Sequence, residues 1–392
     1  MIRLMNSTFH DEEKTKEKLC EFIMKSEKLS MGQKCKEFEK AFSNYQGRKY
    51  SVLFNSGSSA NLALIQSLVN LKKLDESDKV GFSAITWSTN VMPLIQANLD
   101  SVPVDISEKH LNIDSKNLLS VLNNTPLKAL FLTNLLGFSG DIDKIKDICA
   151  EKKIILLEDN CESLGSFIAG KKLGNFGLAS TFSFFVGHHL STIEGGMVCT
   201  DDEELYDMLR MVRAHGWSRE LEPEKQDVLR EKYNIEKFYD KYTFHFLGYN
   251  LRPTEITGFL GLEILNHADK IIKKRNENYK AFDVVIKANP DFLHIDVSHM
   301  DFVSNFSYPL LFSDKPRFEK YKKLFEKSVE IRPIVGGYIV DQPFFIDYMK
   351  KRNLFYECPV AKNINKFGFY FPNNHELTNA EIEHLCQLLR SK

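Results

Sequence analysis

The sequence has no close cysteine pair, no excess of charge of either sign and no long hydrophobic run. Its seven cysteines are scattered and no C-x-x-C motif occurs, so the pattern predicts neither a disulfide framework nor a metal site. Lysine and arginine total 52 and aspartate and glutamate total 53, which leaves a formal net charge of -1. Because there is no basic excess, we expect no nucleic acid among the partners.

Segments for export or for a membrane are missing as well. The first residues, MIRLMNSTFHDEEKTKEKL, soon turn acidic and have no apolar central region, so they do not predict a signal peptide. The longest apolar stretches, such as ALFLTNLLGF at 129–138, are too short to span a bilayer. We therefore expect a soluble cytoplasmic protein with no membrane partner.

What the first two-thirds of the chain does contain is an alternation of apolar runs and amphipathic segments. Amphipathic helices are predicted at 60–71, 88–99 and 141–153. Strands are predicted at KYSVLF (49–54), KVGFSAI (79–85), SVPVDI (101–106), KALFLTNL (128–135) and KIILLEDN (153–160). This alternation predicts a mainly parallel sheet with helices on both faces. Sites in such sheets lie beyond the carboxyl ends of the strands.

The last third has a different pattern. A charged, loop-like stretch at 218–241 precedes a helix predicted through YNLRPTEITGFLGLEIL (249–265), with Pro253 in its first turn. From about Lys270 onward, shorter elements such as FSYPLLF and VEIRPIV predict a smaller α+β domain.

Three motifs that follow predicted strands carry candidate chemistry. NSGSSAN (55–61) would present free backbone N–H groups at a helix start, which suits a phosphate, although serine is also a common helix cap. Asp159 closes an apolar strand, so its carboxylate either pairs with a cation such as a protonated pyridine nitrogen or caps the next element. Trp87 either stacks on a flat ring or belongs to the core.

In their order along the chain, these motifs resemble the sugar aminotransferase branch (DegT/DnrJ/EryC1/StrS) of the fold type I enzymes that use pyridoxal 5'-phosphate (PLP). The resemblance covers nearly the whole chain. It implies an aspartate aminotransferase-like α/β fold, with a large cofactor-binding domain at 1–250 and a smaller C-terminal domain at 251–392. The implied cofactor contacts are Gly57, Ser58 and Ser183 at the phosphate, Trp87 over the ring, Asp159 at the pyridine nitrogen and Glu162 near the ring oxygen. Asn250 would reach the phosphate from the partner subunit, which implies a homodimer with shared active sites.

One position departs from the aminotransferase pattern. Within FSFFVGHHLSTIEGGMV (182–198), these enzymes carry a lysine five residues after Ser183, and here that position is His188. Imidazole has no primary amine to bond covalently to PLP, and no lysine occurs between Leu173 and Glu224. The cofactor is therefore expected to bind non-covalently as pyridoxamine 5'-phosphate (PMP). His188 would act as a general base on the cofactor's C4' carbon, which favours elimination over transamination.

This exchange of histidine for lysine resembles the 3-dehydratases that act on nucleotide-linked 4-keto-6-deoxy sugars. LLEDNCES, HH, EGG, RAHGW and GYNLRP are similar to motifs of that group. The resemblance implies GDP-4-keto-6-deoxy-D-mannose or the corresponding heptose as substrate, L-glutamate as the donor that converts PLP back to PMP, and a role in surface polysaccharide biosynthesis. Candidate substrate contacts are His215, Arg219, Arg252, Arg332 and Glu194. His189 is expected to have a secondary or structural role.

Three other functions are alternatives to this one. A nucleotide-sugar aminotransferase needs the missing lysine. A dehydrase that regenerates its cofactor through an iron–sulfur cluster needs a spaced set of cysteine ligands, which is absent. A catalytically inactive sugar-binding relative would be expected to lose the cofactor contacts along with the lysine, whereas those residues are present.

Overall fold

A sheet of seven strands forms the centre of the molecule in the computed structural model, which describes residues 1–391. The strands lie in the order β1-β9-β8-β5-β4-β2-β3, and β9 alone runs antiparallel to its neighbours. The strands of this sheet are β1 Tyr50–Phe54, β2 Lys79–Ser83, β3 Asp100–Val104, β4 Ala129–Thr133, β5 Ile155–Asp159, β8 Ala179–Ser183 and β9 Gly196–Thr200. The predicted α/β class with a mostly parallel central sheet is confirmed.

Helices cover this sheet and extend into the C-terminal part of the chain. In the first half these are α1 Glu12–Lys25, α2 Gln33–Gln46, α3 Gly57–Asn70, α4 Met92–Gln96, α5 Ser115–Leu122, α6 Ile142–Lys152 and α7 Glu203–Arg213. The second half has α8 Pro223–Lys232, α9 Glu255–Leu265, α10 Ala268–Ala288, α11 Lys315–Phe325, α12 Pro343–Arg352, α13 Pro359–Lys366 and α14 Asn379–Arg390. None of the helices within residues 1–391 combines the length and apolar composition that a bilayer crossing needs.

Two smaller sheets complete the fold. β6 Phe167–Ile168 and β7 Lys171–Lys172 form a short hairpin. β10 Ser307–Leu311, β12 Gly368–Pro372 and β11 Arg332–Pro333 form an antiparallel sheet in that order. The first residues of the chain return to this region, because the backbone N–H of Ile2 donates to the carbonyl of Ser328 at 2.7 Å. The division of the chain at 250/251 stays a prediction.

The helix boundaries correct three predictions. The helix predicted at 88–99 is only a 3-10 turn at Ser88–Asn90 followed by the five residues of α4, which contains a proline. The charged stretch at 218–241 contains α8, which has no buried side chain and so lacks the apolar stripe that periodicity detects. Pro253 lies before the first turn of α9, because Thr254 is the N-cap and accepts a hydrogen bond from the N–H of Thr257.

Candidate active site

The strand β5, the strand β8 and the start of helix α3 meet at one edge of the central sheet. Asp159 is the last residue of β5, Ser183 is the last residue of β8, and Gly57 is the first residue of α3. A Cβ atom on Gly57 would lie 2.7 Å from Cβ and 3.1 Å from Oγ of Ser183, so only glycine allows this approach. The free N–H groups of the first turn of α3 therefore lie beside the Ser183 hydroxyl, which is a suitable site for an anion.

The carboxylate of Asp159 is buried and is held by three neutral donors. Its Oδ2 accepts hydrogen bonds from Nδ2 of Asn90 at 2.7 Å and of Asn61 at 3.1 Å. Its Oδ1 accepts one from the N–H of Cys161 at 2.9 Å. None of these partners within residues 1–391 carries a positive charge. A buried anion of this kind fits a bound group that brings its own cation, such as a protonated pyridine ring.

Glu162 is a second buried carboxyl group in the same loop. Its Oε2 accepts a hydrogen bond from the N–H of Leu136 at 2.7 Å. Burial raises the pKa of Glu162 to about 8, because desolvation outweighs the Leu136 hydrogen bond and the nearby Asp159 charge also disfavours ionisation. Near pH 7 this carboxyl group is mainly protonated, so it can donate a hydrogen bond to an acceptor on a ligand.

The imidazole of His188 is fixed by one hydrogen bond and two aromatic contacts. Its Nδ1 lies 2.5 Å from the carbonyl oxygen of Cys161. Its ring stacks on Phe306, with centroids 5.4 Å apart and planes at 22°, and meets the edge of Phe185 at 6.0 Å. Because a carbonyl oxygen can only accept, Nδ1 carries the hydrogen and Nε2 has the free lone pair.

The surroundings of His188 also set its protonation. Burial lowers the pKa of the imidazole below its usual value of 6.5, and the guanidinium of Arg275 lowers it further. The Cys161 carbonyl and the Asp159 carboxylate act in the opposite direction but are outweighed. At neutral pH the ring is therefore uncharged, with Nε2 able to accept a proton.

Trp87 and Ser58 lie on exposed turns next to this cluster. Trp87 follows β2 and is 54% exposed, so it is not a core residue, and its indole is free to cover a bound ring. Ser58 is also exposed, and its hydroxyl accepts a hydrogen bond from Oγ1 of Thr89 at 3.3 Å. That bond connects the first turn of α3 to the 3-10 turn that follows Trp87.

A separate group within one chain contains four of the predicted ligand-binding residues: His215, Arg219, Asn250 and Arg252. Asn250 is exposed, and its Oδ1 accepts a hydrogen bond from Nε of Arg252 at 3.0 Å. The backbone of Asn250 pairs with Ala214, the residue before His215. Arg219 is exposed and stacks on Trp217 at 3.9 Å.

Within residues 1–391, no hydrogen bond joins a side chain of this group to Asp159 or His188. The link that does exist is through the backbone, where the carbonyl of Leu251 accepts from the N–H of Asn55 at 3.0 Å. The exposed side chains of Asn250 and Arg252 therefore lie near the turn that begins α3.

The remaining predicted residues have different surroundings. Arg332 is exposed, its guanidinium donates to Glu330 at 2.6 Å, and its backbone pairs with Tyr370, whose ring packs against Phe306. Glu194 is an exposed turn residue. His189 is buried and its Nε2 bonds to the carbonyl of Ser304 at 3.1 Å, which agrees with a structural role.

Three residues of the cluster were not predicted as site residues. Asn61 and Asn90 hold the Asp159 carboxylate, and Phe306 supports the His188 ring. The sequence could have indicated Asn61, because this residue interrupts the apolar face of α3 and a buried amide needs a hydrogen-bond partner. Phe306 gives no such signal in an aromatic-rich chain.

The central sheet is mostly parallel, a buried aspartate ends strand β5, and a glycine begins the helix that faces it. This arrangement is typical of the aminotransferase-like proteins of fold type I. The model of the DegT/DnrJ/EryC1/StrS aminotransferase family matches residues 10–390. The chain belongs to this family, as its motifs predicted.

One similar protein and two similar solved structures come from the 3-dehydratase group. The chain is 38% identical to GDP-4-keto-6-deoxy-D-mannose 3-dehydratase of Yersinia pseudotuberculosis over 94% of its own length and 93% of that protein. A crystal structure of a GDP-4-keto-6-deoxymannose-3-dehydratase variant with bound GDP-perosamine is 32% identical, with a TM-score of 0.87, and the match covers 99% of this chain and 100% of the other. A structure of GDP-4-keto-6-deoxymannose-3-dehydratase with a trapped PLP-glutamate geminal diamine is 31% identical, with a TM-score of 0.85, and the match covers 99% and 100%.

Proposed function

We propose that this protein is a PMP-dependent 3-dehydratase that removes the C3 oxygen of a GDP-linked 4-keto-6-deoxy sugar and yields a 4-keto-3,6-dideoxy sugar. GDP-4-keto-6-deoxy-D-mannose is the first candidate, and the corresponding heptose is the second. L-Glutamate is the amino donor that restores PMP from PLP. Support comes from the family, from the named relatives and from the histidine at the lysine position.

The observation that carries the proposal is a neutral imidazole, His188, at the position where aminotransferases have a lysine. The two lysines that border the lysine-free segment are engaged elsewhere, because Lys172 donates to the carbonyl of Tyr45 and Lys225 pairs with Asp207 at 2.5 Å. Neither of these two amines is therefore free to replace the missing lysine. A neutral imidazole with a free Nε2 takes the place of that amine. It can move a proton but cannot hold the cofactor covalently.

The residues of the cluster fit a pyridoxamine phosphate. Asp159 would pair with the pyridinium, the protonated Glu162 would donate to the ring oxygen, and Trp87 would cover the ring. Gly57, Ser58 and Ser183 would hold the phosphate at the N-terminus of α3. When bound, the cofactor supplies the amine that condenses with a sugar ketone and a conjugated ring that takes up electrons. His188 then accepts a proton at Nε2, while Nδ1–H stays on the Cys161 carbonyl and prevents the ring from turning.

The sugar nucleotide is proposed to bind at a site shared by two subunits. Asn250 and Arg252 are exposed next to the start of α3, where a second copy can contribute Asn250 to the phosphate site. His215 and Arg219 would contact the GDP-sugar, with the Arg219 guanidinium suited to a diphosphate. Arg332 and Glu194 are proposed as further sugar or nucleotide contacts. We assign the protein to the cytoplasm, which agrees with its seven unpaired cysteines.

A stoichiometry experiment distinguishes dehydration from the alternative, a nucleotide-sugar aminotransferase. The protein is incubated with GDP-4-keto-6-deoxy-D-mannose, PMP and L-glutamate, and 2-oxoglutarate and free ammonia are measured together. Dehydration removes one sugar oxygen, and glutamate supplies the two electrons and leaves as 2-oxoglutarate and ammonia in equal amounts. Transamination keeps the nitrogen on the sugar, so 2-oxoglutarate without ammonia would refute the proposal.

A further inference from the structure

Two histidines and an aspartate form a second cluster, at the N-terminal ends of helices α1 and α10. His10 and Asp11 immediately precede α1, and His267 immediately precedes α10. One ligand atom from each of the three side chains lies within 4.8 Å of the others. The Nε2 of His10 is 4.0 Å from Oδ2 of Asp11, and the imidazole rings of His10 and His267 are 4.6 Å apart. Residues far apart in the sequence thus bring metal-ligating groups together.

A fourth residue, His375, sets the orientation of the His10 ring. The Nδ1 of His10 and the Nε2 of His375 are 3.3 Å apart, so one of them carries the shared hydrogen. The Nε2 of His10 is buried and has no hydrogen-bond partner within residues 1–391. When Nδ1–H of His10 donates to His375, this orphaned Nε2 presents a lone pair towards Asp11 and His267.

The carboxylate of Asp11 is not committed to its helix. Asp11 occupies the N-cap of α1, but its side chain makes no capping hydrogen bond, and its backbone has φ of 49°. The side chain is 58% exposed and can turn towards the two imidazoles. Lys14 and Lys18 line the same cavity, and Lys18 is neutralised by an ion pair with Glu263. The local positive charge opposing a cation is therefore reduced.

We propose that His10, Asp11 and His267 bind a divalent transition metal ion of the zinc class, with His375 holding His10 from its second ring nitrogen. Imidazole-rich donor sets select Zn²⁺-like ions over Mg²⁺ or Ca²⁺. Tetrahedral coordination at bonds of about 2.0 Å needs ligand atoms about 3.3 Å apart, so the observed spacing closes with shifts of about 1 Å. The site uses no cysteine, which is why cysteine spacing did not reveal it.

A metal at this position would join the N-terminal segment to the start of α10. Two turns along that helix, the buried guanidinium of Arg275 donates to the carbonyl of Phe306 at 2.8 Å and to that of His188 at 3.4 Å. The cavity between the N-terminal segment and this arginine is lined by His188 and His189. The metal would therefore stabilise the structure next to the segment that carries the proposed base, His188. This inference does not depend on the proposed reaction.

The test is a Zn²⁺ titration of the full-length chain, free of any histidine tag and loaded with PMP, by calorimetry at pH 7.5. We expect about one Zn²⁺ per chain. His267→Gln should weaken binding by more than about 100-fold, and His375→Gln, which removes only the supporting contact, by about 10- to 100-fold. His384→Gln is the matched control, because this histidine bonds to Ser328 outside the cluster. Its affinity should equal that of the wild type.

Two results of the Zn²⁺ titration would overturn the proposal. One is a wild-type chain that takes up no stoichiometric Zn²⁺, and the other is His267→Gln with wild-type affinity. Melting temperatures measured in EDTA establish that each variant is folded before titration. Co²⁺ provides a second readout, because a tetrahedral site made of His10, Asp11, His267 and one water should give visible absorption bands that His267→Gln removes. Absence of those bands from the wild type would also contradict the proposal.

Discussion

The buried Asp159 carboxylate depends on two asparagine side chains, and removing either one should weaken cofactor binding. Asn90 donates to Oδ2 at 2.7 Å and Asn61 donates to the same atom at 3.1 Å. Leucine has nearly the shape of asparagine and no donor, so Asn90→Leu and Asn61→Leu remove one hydrogen bond each with little change in volume. The proposed pyridinium partner needs this carboxylate ionised and correctly turned.

The size of the effect follows from the charge and the burial. A buried hydrogen bond to an ionised group contributes about 1.5–3 kcal/mol, which corresponds to roughly a ten- to hundredfold change in affinity. The shorter bond of Asn90 should give the larger loss. Because both amides bind one oxygen atom, the two losses should not be additive.

The assay is the dissociation constant of PMP, measured by absorbance or fluorescence titration of the apoprotein. Asn70→Leu is the control, since Asn70 lies on the same helix α3 but donates to the carbonyl of Leu247. In an Asp159→Asn background, Asn90→Leu should have little further effect. Unchanged PMP affinity in both Asn90→Leu and Asn61→Leu would refute Asp159 as the cofactor partner.

Four other predictions test neighbouring parts of the site. His188→Gln should lower the dehydration rate by about 10²–10⁴-fold, whereas His189→Gln should lower the melting temperature and change the rate by less than about tenfold; equal rate losses would contradict the separate roles. Because burial lowers the pKa of His188, the acid limb of the kcat/KM profile should lie below pH 6.5, and a limb above 6.5 would contradict this. Burial raises the pKa of Glu162 from 4.5 to about 8. Between these two pH values the folded apoprotein binds one proton more than the unfolded chain, so its stability falls as the pH rises through this range. The melting temperature of Glu162→Gln should therefore fall less between pH 5 and 8 than that of the wild type, and parallel curves would exclude this titration. Gly57→Ala should cost about 1–3 kcal/mol of stability and weaken PMP binding, because its Cβ would lie 2.7 Å from Ser183, and wild-type values for both would contradict the close approach.

The strands were predictable because short apolar runs end at turn residues. All five runs predicted before residue 160 form strands β1 to β5. Their order in the sheet was not predictable from periodicity, since β9 inserts between β1 and β8 through contacts distant in sequence. Helix α8 was missed because it buries no side chain and its sequence has no apolar stripe.

The candidate site was predictable as a set of residues but not as a geometry. Asp159, Ser183 and Gly57 follow from the motifs and the resemblance, and the structure brings them to one edge of the sheet. The tautomer of His188 depends on a carbonyl 27 positions away in the chain and on the ring of Phe306. Neither contact leaves a pattern in the sequence, because tertiary packing alone creates it.

The most direct measurement of the central claim is mass spectrometry of the sugar nucleotide after reaction with GDP-4-keto-6-deoxy-D-mannose, PMP and L-glutamate. The account predicts a product lighter by one oxygen atom, with hydrogen in place of the C3 hydroxyl. A product in which the ketone oxygen has been exchanged for an amine would mean transamination and would contradict the role of His188 as the base of a dehydratase.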